Sequence, residues 1–297
     1  AIAFGLIVYN SLGNEFLSIG ALSGILGTIA ISFSAAIFGG SPRLISAPCA
    51  PAAAVLGAFV LEIVHTKGNI IDPQMIPFLI FLIALIAGIL QIIFALLGGG
   101  KFIKYVPYPV VAGYLSGVGI IIFLGQLPKF LGIPKNYKLF EGLLHPHLWQ
   151  TEGIIVGVVT ILVMIFASKI IKMIPAAIIA LVSGIITYFI ISLFNSELLN
   201  LTGNSLIIGP LTTTSSQNIA GIIMSRFFEF KNSFNLQIAG IIFIPALTLA
   251  VLLSIDTLKT CVVLDALTRS RHNSNKELFG QGIGNICYSI LGGLPGA

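Results

Sequence analysis

Long stretches of this chain carry no charge at all, and that constrains its fold more tightly than any motif does. Between Glu15 and Arg43 lie 27 uncharged residues, between Asp72 and Lys101 lie 28, and between Lys231 and Asp256 lie 24. One helical crossing of a bilayer's hydrocarbon core needs about 20 apolar residues. Only 8% of the 297 residues are charged, and the mean hydropathy is +1.06. An ordinary soluble domain carries roughly 25% charged residues. A water-soluble globule of this size could not cover itself with so few charges, and that class is excluded. The run from Glu197 to Arg226 is also uncharged, but its TGNS, GP and TTTSSQN stretches read as a long polar loop within 195–237.

The expectation is an all-α polytopic membrane protein. A helix tail occupies 1–9, and spans lie near 17–38, 48–64, 75–97, 109–127, 153–171, 175–194, 239–266 and 278–293, with a broken segment beginning at Pro295. The chain has no initiator Met, opens inside the apolar run AIAFGLIVY and stops at GGLPGA. It therefore reads as one transmembrane domain, 1–297, cut at both ends. The opening run is too short for a signal peptide.

Basic residues fix the orientation. Alternate short turns carry Arg43; Lys101 and Lys104; Lys169 and Lys172; and Arg269, Arg271 and Lys276. By the positive-inside rule this side is cytoplasmic. The basic residues do not cluster on a polar face, as nucleic-acid binding would need. Cys49, Cys261 and Cys287 all lie in apolar segments, with no spacing for a metal site or a disulfide framework.

Two places interrupt the helical pattern. In GGSPRLISAPCAPAAAV, Pro42, Pro48 and Pro51 lead into a span; in GGLPGA, Gly292, Gly293, Pro295 and Gly296 do the same. Irregular backbone at membrane depth is tolerated only where it is buried in protein or lines a cavity, and paired interrupted spans point to a site built from repeats. The two segments are expected to start near mid-membrane and to face each other. A helix start leaves N–H groups unpaired and carries roughly half a positive charge. The backbone amides of Cys49, Ala50 and Ala297 could then hold a small oxyanion without any Arg or Lys. The competing reading is a plain helix break with small residues for tight packing.

Asp256 lies inside the apolar run VLLSIDTLKTCVVLDAL. A carboxylate facing lipid there would cost at least about 2.5–3.5 kcal/mol, and an ionisable residue within a span is a functional candidate by default. Thr260, four residues on, shares its face. Asp256, Thr260 and the carbonyls near Gly296 are a candidate cation site, for sodium or a proton. The competing reading is an ion pair between Asp256 and Lys259, one turn away. Other features carry less. Asp265 with Arg269 reads as a solvated turn, His145 and His147 flank a proline in an outer loop, and the small residues of GYLSGVG predict close helix packing.

Three stretches resemble the SulP inorganic anion transporters, also called solute carrier family 26. VPYPVVAGYLSGVGIIIFLGQLPKFLGI (106–133) is similar to the family's fifth helix, and GGSPRLISAPCAP (39–51) to its second-to-third helix junction. DTLKTCVVLDALTRSRHNSNKELFGQGIGNICYSILGGLPGA (256–297) resembles helices eight to ten. The resemblance implies fourteen segments in two inverted repeats of seven, with helices three and ten broken and substrate between their starts. Helices eleven to fourteen, and the cytoplasmic STAS domain of many members, would lie outside this stretch. The sodium-dependent bicarbonate branch is similar around Asp256, Thr260, Gly296 and Ala297, but that branch tends to have glycine and threonine where this chain has Ala47 and Cys49.

The implied function is secondary active transport of a small inorganic anion, bicarbonate or sulfate, coupled to sodium or protons and moving by rocking of one helix group against another. The setting is the plasma (inner) membrane, and a homodimer is an expected assembly. A passive anion channel or an anion exchanger is the near alternative. A membrane-embedded enzyme would need a nucleophile–base set, an H-E-x-x-H motif or clustered Asp residues at helix ends, and the sequence has none of these.

Overall fold

The computed structural model describes residues 1–9, 12–13, 16–67, 73–105, 107–133, 139–170, 174–200, 207 and 236–297. The described residues form helices α1 (Ile2–Tyr9), α2 (Leu17–Phe38), α3 (Ala50–Lys67), α4 (Ile76–Leu96), α5 (Tyr108–Leu131), α6 (Leu139–Leu144), α7 (Thr151–Ile170), α8 (Ala176–Ser192), α9 (Leu236–Thr268) and α10 (Ser274–Ile290). Each expected span coincides with a helix to within a few residues. Most of the polar loop expected at 195–237 lies outside the described residues.

Among the described residues, three helical stretches are long and apolar enough to cross a membrane unaided: Leu17–Phe38, Pro73–Leu96 and Ile238–Thr268. At 33 residues α9 extends about 50 Å, well beyond the roughly 30 Å hydrocarbon core. Its last turns, with Asp265, therefore have length to spare for the aqueous side.

The chain divides into two compact units, Ala1–Val118 with Leu211–Ala297, and Gly119–Pro210. In the first unit α10 packs against both α4 and α2, and α4 also packs on α9. The core is a continuous apolar cluster that includes Leu56, Phe59, Phe78, Leu82, Ile242, Leu249 and Tyr288. α4 and α10 approach closely where two glycines meet: a Cβ on either Gly88 or Gly282 would stand 2.9 Å from the other's carbonyl oxygen. Small residues at such a crossing let backbones pack tightly where lipid supplies no hydrophobic drive between helices.

Three basic turns of this unit gather at one end. The Gly40 carbonyl accepts the Asn273 N–H at 3.2 Å. A Cβ on Gly100 would lie 2.7 Å from the Ser274 backbone. The turns that carry Arg43, Lys101 and Arg271 thus share one face of the bundle, as their common cytoplasmic assignment requires.

In the second unit α7 packs on α8, and the Tyr188 hydroxyl ties α8 to the following turn by donating to the Leu198 carbonyl at 2.6 Å. The close packing expected for GYLSGVG is not seen among the described residues: a Cβ added to Gly113 or Gly117 of the first unit, or to Gly119 of the second, would meet none of them within 4 Å.

Candidate functional site

The two interrupted segments meet. Pro48 and Gly296 form an isolated antiparallel bridge. Around it the Ala47 N–H donates to the Ala297 carbonyl at 3.1 Å, and the Ala297 N–H donates to the Ala47 carbonyl at 3.2 Å. The local sequence explains the geometry. Pro48 pushes Ala47 toward extended backbone. Pro48 and Pro51 have no N–H, so α3 cannot begin earlier, and its first turn closes when the Ala53 N–H donates to the Cys49 carbonyl at 3.1 Å.

On the other side α10 ends in a left-handed cap at Gly292, φ 75°. The Gly293 N–H reaches back to the Tyr288 carbonyl and the Gly292 N–H to that of Ser289, each at 2.9 Å. The chain then turns across the head of α3. Only glycine fits at 296, because a Cβ there would lie 2.2 Å from the Ala47 carbonyl oxygen.

The amides expected to hold an anion are not equivalent. Those of Cys49 and Ala50 head α3, and no carbonyl among the described residues accepts them. The Ala297 amide, by contrast, is engaged by Ala47. The Cys49 thiol is half-buried and lies toward the backbone N–H groups of Ala52 and Ala297. Arg43 is exposed, on the loop that precedes the break. The first-turn N–H groups and the dipole of α3 therefore make the positive end of this site, with small side chains around it.

The expected cation ligands are arranged differently from the expectation. Lys259 Nζ donates to Asp256 Oδ1 at 3.1 Å, both side chains being half-buried. The Thr260 hydroxyl is exposed and donates to the Asp256 backbone carbonyl at 2.8 Å, four residues back, rather than joining the Asp256 carboxylate. The Gly296 carbonyl accepts the Asn285 side-chain amide at 3.1 Å. The structure thus forms the Asp256–Lys259 pair and does not place Thr260 on the carboxylate.

A buried polar stripe on α10 was not anticipated. Glu277, Gln281 and Asn285 recur every four residues and are at most 1% exposed. In the sequence Glu277 bounds the last span and closes the run RSRHNSNKE, which reads as a solvated turn; in the structure it lies inside the helix and is buried. Its Oε2 accepts the N–H groups of Gly40 at 2.7 Å and Ser41 at 2.9 Å, and its Oε1 accepts Gln281 Nε2 at 3.0 Å. Gln281 Nε2 also donates to the Ser46 hydroxyl, while the Ser46 carbonyl accepts the Ser32 hydroxyl at 2.6 Å. Asn285 Oδ1 accepts the Gly296 N–H at 3.0 Å, and its Nδ2 donates to Gln91 Oε1 at 2.7 Å. The four-residue spacing of Glu, Gln and Asn was the available signal.

Known proteins share this architecture. The transmembrane domain of a cyanobacterial bicarbonate transporter, BicA, superposes with a TM-score of 0.71 at 33% identity, covering 100% of this chain and 72% of that one. In sequence the chain is 34% identical over 286 residues to the bicarbonate transporter BicA of Picosynechococcus, covering 94% of this chain and 47% of the relative. It is 24% identical over 267 residues to the putative sulfate transporter YvdB of Bacillus subtilis, covering 87% of this chain and 45% of that protein. The chain therefore spans about half the length of these relatives, which are named as transporters and not as enzymes. The model of the sulfate permease family matches residues 7–297, and with the paired breaks in place the chain belongs to that family, the SulP transporters.

Proposed function

We propose that the whole protein is a secondary active transporter of a small inorganic anion, bicarbonate in the first place and sulfate in the second, in the plasma (inner) membrane. The observation that carries this reading is the pairing of Ala47 with Ala297 across the head of α3. It sets an electropositive helix start, with the Cys49 and Ala50 amides unclaimed among the described residues, inside a bundle of apolar helices. Backbone donors and a dipole end can hold an oxyanion and still release it, as a carrier must. Ala297 forms a wall of this site, since its amide is engaged by Ala47. Bicarbonate ranks above sulfate because the relatives named as bicarbonate transporters are 34% and 35% identical to this chain, and a putative sulfate transporter 24%.

Coupling to sodium or a proton belongs to the same proposal, at Asp256 with Thr260 and the Gly296 carbonyl. Lys259 holds the Asp256 carboxylate in the structure, so cation binding requires Nζ to leave Oδ1. The decisive experiment is uptake of labelled bicarbonate and sulfate into vesicles that contain the full-length protein, with and without a sodium gradient. Saturable bicarbonate uptake that follows the sodium or proton gradient at a fixed ratio is the expected result. Anion flux strictly down its own gradient, with no fixed ratio, would make the protein a channel.

A further inference from the structure

We propose that Asn285 is a positioning residue for transport: its side-chain amide holds the Gly296 backbone in register against Ala47 and Pro48, without touching the anion. This rests on the reading of the α3 head as the anion site.

The argument begins with donors and acceptors. A peptide group offers one N–H and one C=O. Asn285 meets both on Gly296, accepting the N–H at 3.0 Å and donating to the carbonyl at 3.1 Å. Its amide thus acts as a further strand beside the bridge, so that Gly296 lies between Asn285 on one side and the Ala47–Pro48 segment on the other. The pattern also fixes which way the amide points. The Gly296 N–H needs an acceptor, so Oδ1 must face it, and Nδ2 is then free to reach Gln91 Oε1 at 2.7 Å.

The same helix face holds the partner segment. Four residues before Asn285, Gln281 donates to the Ser46 hydroxyl. Four before that, Glu277 takes the Gly40 and Ser41 amides. Residues four apart lie one above another on a helix. One rigid element therefore sets the position of both interrupted segments, and Asn285 is the member that acts on the residue next to Ala297. Asn285 is fully buried and Gly296 is buried beside it, so water does not readily replace these bonds.

The test uses the full-length protein in vesicles, with Cys261 and Cys287 replaced by Ser so that Cys49 is the reporter in this region. Its readouts are the Cys49 labelling rate with a small methanethiosulfonate reagent, the KM for bicarbonate and the thermal unfolding midpoint. Asn285→Ala should label at least about fivefold faster at a temperature far below unfolding, because the paired segment now opens locally. Its KM should rise by about tenfold or more through loss of register, with the maximal rate per folded protein changing less.

A purely structural role would lower the midpoint and leave labelling and KM within about twofold of the parent, and that result overturns the proposal. If Asn285→Ala does not fold, Asn285→Leu decides. It keeps the approximate shape of the side chain and removes both bonds to Gly296, so faster labelling is expected and an unchanged rate rejects the idea. Gln91→Met removes only the second partner of Nδ2 and should leave both readouts near the parent values. An effect as large as that of Asn285→Ala would move the role off Asn285. Should the parent carry neither bicarbonate nor sulfate, the transport reading fails, and Cys49 labelling alone judges the positioning role.

Discussion

At the scale of single residues, the proposed coupling to a cation rests on one charged pair. Asp256 and Lys259 stand one turn apart in an apolar helix, 3.1 Å from each other. They were conspicuous in sequence because they follow 24 uncharged residues and stand inside an apolar run. The use of Thr260 was not legible, since a hydroxyl four residues on can turn sideways to a shared ligand or back to the i−4 carbonyl at the same spacing. It turns back, to the Asp256 carbonyl. Asp256→Asn should abolish the dependence of uptake on sodium or pH in the full-length protein; unchanged dependence would make the pair structural. Lys259→Met tests the other charge. With the anion on the α3 amides, its affinity should change by less than about tenfold, or roughly 1.4 kcal/mol. A larger loss in a folded protein would make Lys259 the anion's partner.

At the level of helices, two ends show the same motif with different residues. α10 ends with Gly292 in the left-handed region, and α9 ends with Arg269 there, φ 51°. Behind Arg269 the Ser270 N–H reaches the Asp265 carbonyl at 3.2 Å, and the Asp265 carboxylate accepts the His272 N–H at 2.9 Å. The Cβ of a non-glycine residue in this conformation is strained by about 1–2 kcal/mol. Arg269→Gly should therefore stabilise the folded protein by about 0.5–1 kcal/mol, less than the full strain because glycine also loosens the unfolded chain. Thermal or denaturant unfolding in detergent checks this, and a destabilised variant would mean that the Arg side chain holds the turn. Helix bounds were readable to within a few residues, α2 at its exact expected limits, because charges and prolines punctuate a uniform apolar background. The buried face of α10 escaped because Glu277 follows directly on Arg269, Arg271 and Lys276. A carboxylate there reads as part of a solvated turn, whereas backbone donors from Gly40 and Ser41 pull it inside.

For the whole molecule, the three basic turns that gather at one end of the first unit give the orientation a direct check. Single cysteines placed at Lys101 and Arg271, in a protein otherwise free of Cys, should be shielded from an impermeant thiol reagent added outside whole cells. One placed at Ser196 should react. Labelling of Arg271→Cys from outside would invert the topology. Most of the architecture was legible at this scale from charge spacing, and the matched Gly and Pro content of the two breaks led to the expectation that they face each other. The hydrogen bonds that join them were not legible, and only the folded chain shows them. That pairing has a consequence for how the protein is made. Ala47 and Ala297 are separated by nearly the whole chain, so the first enters the bilayer long before the second leaves the ribosome. Until then its N–H and carbonyl lack the partners they will have, in a solvent where each unmet peptide group costs several kcal/mol. The early segment must wait in a wet or protein-lined place, and the pair forms only after the helices that separate its two halves have been made.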